Sequence, residues 1–261
     1  MTDSPGASCC ANHDHSDHDH GPTGAQIVQG LIRGLSVLTL VIPAIAVVLL
    51  IGALSLAPAT PLPLLVGLAL GGFQLVVTLL ISMVLLRTRP HLTVHPGVLA
   101  LRSFAEEALR LGAVLLVLML WPVEPRIELG VWTGLGAAFA WLVMATVQTV
   151  STRRRLRSPS TWGKEAVATL LTEKVSPRSA VAMRTLDILG VALFQIGATT
   201  LVMMAPVFAI GTLVLSVASA VATLMLQRKP AAERLGSPWV YAPLLIGLMT
   251  ILLVGLGIVA R

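Results

Sequence analysis

Metal-ligating side chains are concentrated near the N-terminus. Four of the six histidines, three aspartates and both cysteines fall within residues 9–20. Imidazole and thiolate suit Zn, Ni and Cu, while nearby carboxylates raise the local cation concentration and accept imidazole N–H bonds. We therefore predict that this tail binds Zn, Ni or Cu. The candidate ligands are Cys9, Cys10, His13, His15, His18 and His20.

The spacing of these residues does not match a structural zinc finger, so no closed tetrahedral site is predicted. In composition, residues 9–20 are similar to the His-rich segments of bacterial metal transporters and metallochaperones. The alternative is a disordered acidic tail that binds metal only adventitiously.

Carboxylates next to apolar runs form a second candidate site. Glu106, Glu107 and Asp187 lie at the ends of predicted membrane spans, where a cation or proton could enter a helix bundle. The favoured alternative is ion pairing. Arg102, Glu106 and Arg110 are spaced by four residues, and Asp187 follows Arg184 by three, so these charges could pair along a helix.

Polar side chains inside the apolar runs recur every four residues. Gln74, Thr78 and Ser82 form one stripe, and Gln195 and Thr199 form another. Such stripes usually bond between helices, an interpretation we favour over a permeation path. We expect no ionisable residue at the centre of a span.

Composition excludes a soluble globular domain. Hydrophobic residues make up 56% of the 261 residues and charged residues only 11%, against roughly a quarter charged in soluble domains. The formal charge of +6 is spread over the segments between apolar runs, so no nucleic-acid groove is indicated. Fifteen Arg beside three Lys, with abundant Ala, Gly, Leu and Val, are typical of a GC-rich bacterial genome.

Seven apolar runs are long enough to cross a bilayer, which needs about 20 helical residues. The chain is therefore predicted to be all-α, a polytopic transmembrane helix bundle over residues 35–260, preceded by a disordered tail over 1–34. The first run is too long for a signal peptide and should remain as a span. The predicted spans lie near 35–57, 62–86, 105–122, 129–150, 186–205, 207–226 and 239–260.

The positions of Lys and Arg predict orientation, because cytoplasmic loops retain them during insertion. With seven spans, sixteen of the eighteen basic residues, Arg110 among them, fall on the side of the N-terminus. Only Arg126 and Arg261 fall on the other side. We therefore expect a cell inner (plasma) membrane protein with a cytoplasmic N-terminus and an external C-terminus.

The predicted cytoplasmic loop, 151–185, contains an arginine cluster and a segment, 162–175, with the periodicity of an amphipathic helix. We predict that this segment lies on the inner leaflet and that the cluster contacts anionic lipids. A docking site for a membrane-protein partner is the alternative. The predicted contact residues are Arg153, Arg154, Arg155, Arg157 and Trp162.

Small residues within the spans should allow helices to approach closely. The glycines concerned are Gly67, Gly71, Gly72, Gly134, Gly136, Gly255 and Gly257.

Two classes of function remain open. One is transport or handling of a divalent or copper ion, with the tail as cytoplasmic collector. The other is a non-catalytic scaffold, subunit or assembly factor of a larger membrane complex. No P-loop, HExxH or GxSxG motif occurs, so a protein without enzyme activity is favoured. A lipid-modifying enzyme is a third alternative, for which only the carboxylates Glu106, Glu107 and Asp187 qualify.

Overall fold

The computed structural model describes residues 24–88, 95–122, 126–157, 168 and 176–259. Helix accounts for 92% of this described part, and none of it forms a strand. The predicted all-helical class is therefore confirmed. The α-helices are α1 (Gly24–Leu56), α2 (Pro61–Thr88), α3 (Pro96–Leu120), α4 (Arg126–Arg157), α5 (Pro177–Met204), α6 (Phe208–Gln227) and α7 (Ala242–Val259). Two short 3-10 helices, Ala231–Gly236 and Pro238–Val240, precede α7.

Six of these helices are long and apolar enough to cross a membrane, consistent with an integral membrane protein. The exception is α3, which carries four ionisable residues between Arg102 and Arg110. α1 begins at Gly24, so residues 24–34, predicted to belong to the disordered tail, are helical. The predicted amphipathic segment 162–175 lies outside the described residues except for Ala168.

The start of α3 differs most from the prediction, which placed the third span at 105–122. The side chain of His95 caps the helix by accepting a hydrogen bond from the backbone nitrogen of Gly97 at 3.2 Å, and Pro96 occupies the first turn. The 25-residue helix therefore has its midpoint near residue 108. Glu107 and Arg110, predicted at the edge of a span, lie in the middle of the helix.

Consecutive helices run antiparallel, because the connections between them are short and the contacts between α4 and α5 run in opposite directions along the two helices. One end of the bundle therefore holds the ends of α2, α4 and α6 and the starts of α1, α3, α5 and α7. We call it the basic end, because Arg87, Arg157, Arg178 and Arg228 lie there.

The core is built around α4, which packs against α1, α2 and α5. Residues 129–138 of α4 are all buried. A Cβ atom on Gly134 would lie 2.7 Å from Cα of Ile196, and one on Gly71 would lie 2.7 Å from the carbonyl oxygen of Ala137. Glycine is therefore required where these backbones meet.

The predicted close approach is confirmed for most of the glycines. A Cβ atom would clash with the backbone of a neighbouring helix at Gly67, Gly71, Gly134 and Gly136, whereas at Gly257 it would meet only the flexible end of the Met204 side chain. The prediction is wrong for Gly72 and Gly255, where a Cβ atom would have no atom of another described helix within 4 Å.

A polar cavity and a buried ion pair as the candidate functional site

The most buried charges of the described structure lie on α3. Arg110 is 1% exposed and Glu107 is 4% exposed, and the two side chains form an ion pair one helical turn apart. The second terminal nitrogen of Arg110 donates to Oε1 of Gln195 on α5 at 2.9 Å. The pair is therefore buried in the middle of α3, whereas the sequence placed Arg110 at the entry of a span.

The arginine is enclosed by further contacts. Its guanidinium carbon lies 5.1 Å from the centre of the Phe194 ring, within the range of a cation–π interaction. Nε of Arg110 is buried without a hydrogen-bond partner among the described residues. On the other side of the pair, the Thr212 hydroxyl on α6 donates to Oε2 of Glu107 at 2.9 Å. The pair thus connects α3 with α5 and α6.

A directed chain of hydrogen bonds continues from Gln195 to α2. Gln195 Nε2 donates to Gln74 Oε1 at 3.2 Å, and Gln74 Nε2 donates to the backbone carbonyl of Glu106 at 3.0 Å. Nε1 of Trp141 on α4 is 3.5 Å from the same Gln74 oxygen. Because Arg110 can only donate, it fixes the orientation of the Gln195 amide, which in turn fixes that of Gln74.

The predicted polar stripes are thereby partly confirmed. Gln74 and Gln195 bond between helices, as does Thr78, whose hydroxyl donates to Oε1 of Glu106 at 3.0 Å. Ser82 instead bonds its own helix, at the carbonyl of Thr78. The Thr199 hydroxyl is buried without a partner among the described residues.

Glu106 carries the second ion pair of α3. Nε of Arg102 donates to its Oε1 at 2.9 Å, and the two side chains are 38% and 15% exposed respectively. The predicted pairing along the helix is confirmed for Arg102 with Glu106 only, because Arg110 pairs with Glu107 instead of Glu106. Adjacent carboxylates of α3 therefore serve two different pairs, one buried and one partly exposed.

A third ion pair lies nearer the basic end, on α5. Arg184 donates one nitrogen to Asp187 Oδ2 at 2.9 Å and another to Gln148 Oε1 on α4 at 2.7 Å. The side chains of Arg184 and Asp187 are 41% and 47% exposed respectively. The predicted pairing of these two residues is confirmed.

A cavity of about 510 Å³ separates these helices in the half of the bundle nearest the basic end. Glu106 and Asp187 both line it, whereas Glu107 does not. Its inner end is formed by Gln195, Phe194 and Trp141, so the cavity reaches the groups that hold Arg110. Its other polar lining residues are Thr78, Arg102, Ser103, Gln148, Arg184, Ser216, Ser219, Thr223 and Gln227.

A second cavity, of about 440 Å³, lies between α5, α6 and α7 and is almost entirely apolar. Leu201, Phe208, Met249 and Leu253 line it. Thr212 borders it and also bonds Glu107, so the Glu107–Arg110 pair lies between the polar cavity and this apolar cleft.

The other predicted site residues are only partly described. Cys9, Cys10 and the tail histidines lie outside the described residues, as does Trp162. Within the described part of the chain, no group of three or more His, Cys, Asp or Glu could hold a metal ion. The arginine cluster, predicted to open a loop, instead forms the last turns of α4, where Nη1 of Arg153 is 3.5 Å from the Ser36 hydroxyl of α1.

Comparison of the chain with protein-family models, curated proteins and solved structures gives no match.

Proposed function

We propose that this chain is a multi-pass transporter of the bacterial inner membrane, which admits a small polar solute from the cytoplasm into the cavity between α2, α3, α4, α5 and α6. The observation that carries the proposal is the mid-helix pair Glu107–Arg110, with a polar cavity reaching its hydrogen-bond partner Gln195. Ionisable residues inside a bundle are costly in a membrane and mark substrate or ion pathways. A purely structural scaffold does not need them.

In this proposal α3 also crosses the membrane, which brings the number of spans to seven. Its 25 residues extend over about 37 Å at 1.5 Å per residue, enough for a hydrocarbon core of about 30 Å. Its exposed side chains include Leu101, Phe104 and Met119, which suit contact with lipid. Its charges point inward to α2, α5 and α6 instead.

The asymmetry of the bundle supports transport by alternating access. The polar cavity occupies the half nearest the basic end, which we assign to the cytoplasm on the positive-inside rule. At the other end, residues 129–138 of α4 are buried against the neighbouring helices. The arrangement corresponds to an inward-open state. Transport requires a second state in which the packing around residues 129–138 opens to the external side.

The tail and the arginine cluster carry separate proposals. We propose that residues 9–20 bind Zn, Ni or Cu in the cytoplasm, separately from the solute that enters the cavity. The exposed side chains of Arg155 and Arg157 at the basic end support contact with anionic lipids or with a membrane-protein partner. Co-purification of a stoichiometric partner, lost when the cluster is neutralised, would favour a scaffold.

Cysteine accessibility tests the transporter. In a variant with Cys9 and Cys10 replaced by serine, Ser219→Cys places a thiol in the cavity and Val221→Cys places one on the exposed face of α6. The two positions differ in depth by about 3 Å. A membrane-impermeant thiosulfonate applied to vesicles of defined orientation should modify Ser219→Cys rapidly from the cytoplasmic face and slowly from the external face. It should leave Val221→Cys unmodified.

Modification from the cytoplasmic face alone would contradict alternating access. Failure to modify Ser219→Cys from either face would contradict the water-filled cavity itself.

A further inference from the structure

We infer that the solute bound in this cavity is a small zwitterion with an ammonium group, a carboxylate and an apolar body, the chemistry of an apolar amino acid. The inference rests on the proposed transport function and names its substrate class. Three observations support it: the charges of the cavity wall, the donors and acceptors of these charged groups that are already hydrogen-bonded, and the apolar side chains between them.

The described cavity wall is electrically balanced. It contains two guanidinium groups, of Arg102 and Arg184, and two carboxylates, of Glu106 and Asp187. The deeper pair, Glu107 with Arg110, is also balanced. A solute with net charge would therefore bring an uncompensated charge into the bundle, which is costly in a membrane. A zwitterion brings opposite charges that the wall can satisfy without changing the total.

The same balance disfavours a bare divalent cation at the carboxylates. Each carboxylate that lines the cavity already accepts from an arginine, at 2.9 Å in both cases. A metal ion bound to either carboxylate would lie close to the positively charged guanidinium that is already paired with it. Hard cations prefer several oxygen ligands, and the two carboxylates of the described cavity wall are each already paired with an arginine.

Arg102 has the unused capacity that a carboxylate needs. Within the described residues it bonds through Nε alone, to Glu106. Its two terminal nitrogens, on a side chain 38% exposed in the cavity wall, remain available for a bidentate carboxylate contact. Arg184, by contrast, uses both terminal nitrogens, on Asp187 and Gln148. We therefore assign the carboxylate of the solute to Arg102.

The ammonium group has two acceptors in the same wall. Asp187 is bonded to Arg184 through Oδ2, which leaves Oδ1 for a second donor. Glu106 accepts from Thr78 and Arg102 at Oε1, which leaves Oε2 without a hydrogen bond from the described residues. Exposed ion pairs hold together weakly, so either carboxylate can turn toward an ammonium group. We assign this contact to Glu106 or Asp187.

The remaining wall suits an apolar body. Trp141 and Phe194 lie at the inner end, and Leu75, Leu79 and Val191 line the sides. The volume of about 510 Å³ lies within the range of about 300–1,000 Å³ typical of small-molecule sites. A solute that had charged groups but no apolar body would leave these aromatic and aliphatic side chains uncovered.

The test is protection of Ser219→Cys in the full-length Cys9→Ser, Cys10→Ser protein, reconstituted in vesicles. Leucine and phenylalanine are compared with their amines, 3-methylbutylamine and 2-phenylethylamine, and with their acids, 4-methylpentanoate and 3-phenylpropanoate. At equal concentration, at least one of the two amino acids should slow thiosulfonate modification saturably, and neither of its single-charge analogues should do so.

Two variants assign the contacts. Arg102→Gln should weaken protection about tenfold or more, because it removes charge-assisted hydrogen bonds. Protection is expressed relative to the modification rate of the same variant without solute. Arg178 lies on α5 and does not line the cavity. In Arg178→Gln the amino acid should therefore protect the Ser219→Cys thiol as strongly as in the parent protein.

Equal protection by all three compounds would overturn the inference, since it would indicate apolar filling only. Protection by the amines alone would also overturn it and indicate a cation site. Modification that no compound slows would overturn it while leaving the cavity of the proposed function intact. Absence of any modification of Ser219→Cys would instead contradict the proposed function.

Discussion

Nε2 of Gln195 donates a hydrogen bond to Oε1 of Gln74 at 3.2 Å and so joins α5 to α2 across 121 residues of sequence. Arg110 fixes the orientation of the Gln195 amide, and through this bond Gln195 fixes the orientation of the Gln74 amide. Both side chains are almost completely buried, at 3% and 0% exposure respectively. Neither amide can therefore turn to water if its partner is removed.

Replacing Gln195 with Met should lower stability by about 1–3 kcal/mol, because Arg110 and Gln74 each lose a buried partner. The measurement is thermal unfolding of the detergent-purified protein. Gln227→Met, at an exposed position on the cavity rim, is the matched control and should change stability little. Equal effects of the two substitutions would show that the hydrogen-bond chain contributes nothing.

The Glu107–Arg110 pair should be strongly coupled. Glu107→Met leaves a buried guanidinium without its counter-ion and should cost about 3–5 kcal/mol, whereas the double variant Glu107→Met, Arg110→Met should cost clearly less than the two single changes together. A double-mutant cycle on unfolding temperatures measures this coupling. Glu106→Gln with Arg102→Gln, in the more exposed pair, should show coupling of only about 0–1 kcal/mol. Additive losses at the buried pair would contradict the geometry.

Glycines at helix contacts should differ sharply from glycines without neighbours. Gly134→Ala places a Cβ atom 2.7 Å from Cα of Ile196 and should destabilise the bundle by about 1–3 kcal/mol. Gly72→Ala meets no atom within 4 Å and should stabilise α2 by about 0.5–1 kcal/mol through helix propensity. Unfolding in detergent compares them, and a neutral Gly134→Ala would argue against close packing of α4 on α5.

The position of α3 can be tested with topology reporters. With α3 as a span, reporters fused after Thr88 and after Pro122 should be active on opposite faces of the membrane. If α3 does not cross the membrane, both reporters should be active on the same face. The experiment therefore decides between six and seven spans without any assumption about function.

Metal binding by the tail is testable on purified protein. Deletion of residues 9–20 should remove bound Zn, Ni or Cu measured by elemental analysis. His91→Asn with His95→Asn, the two histidines outside the tail, should leave the metal content unchanged. Equal metal content with and without the tail would contradict its proposed role.

Much of the architecture follows from local rules that the sequence displays directly. Apolar runs predict helices because backbone amides in lipid must bond within their own helix. The Arg184–Asp187 pair follows from spacing along one helix, and the contact at Gly134 from residue size alone.

The site could not be predicted in the same way, because its partners are distant in sequence. Arg110 lies 85 residues from Gln195, and nothing in the periodicity of α3 indicates whether its charged face points to water or to other helices. Its charges also interrupt the apolar run, which displaced the predicted start of the helix to residue 105. The mid-helix position of Arg110 becomes evident only once His95 and Pro96 define the start of α3.

The separation of Arg110 from Gln195 also bears on how the chain is made. The ribosome synthesises α3 long before α5 exists, so the guanidinium has only Glu107 and water as partners when it first meets the translocon. An unsupported central arginine costs about 2.5–3.5 kcal/mol on translocon-insertion scales. With α3 as the proposed span, we therefore expect nascent α3 to remain at the translocon or the bilayer surface until α5 and α6 emerge, so that biogenesis depends on the second half of the polypeptide.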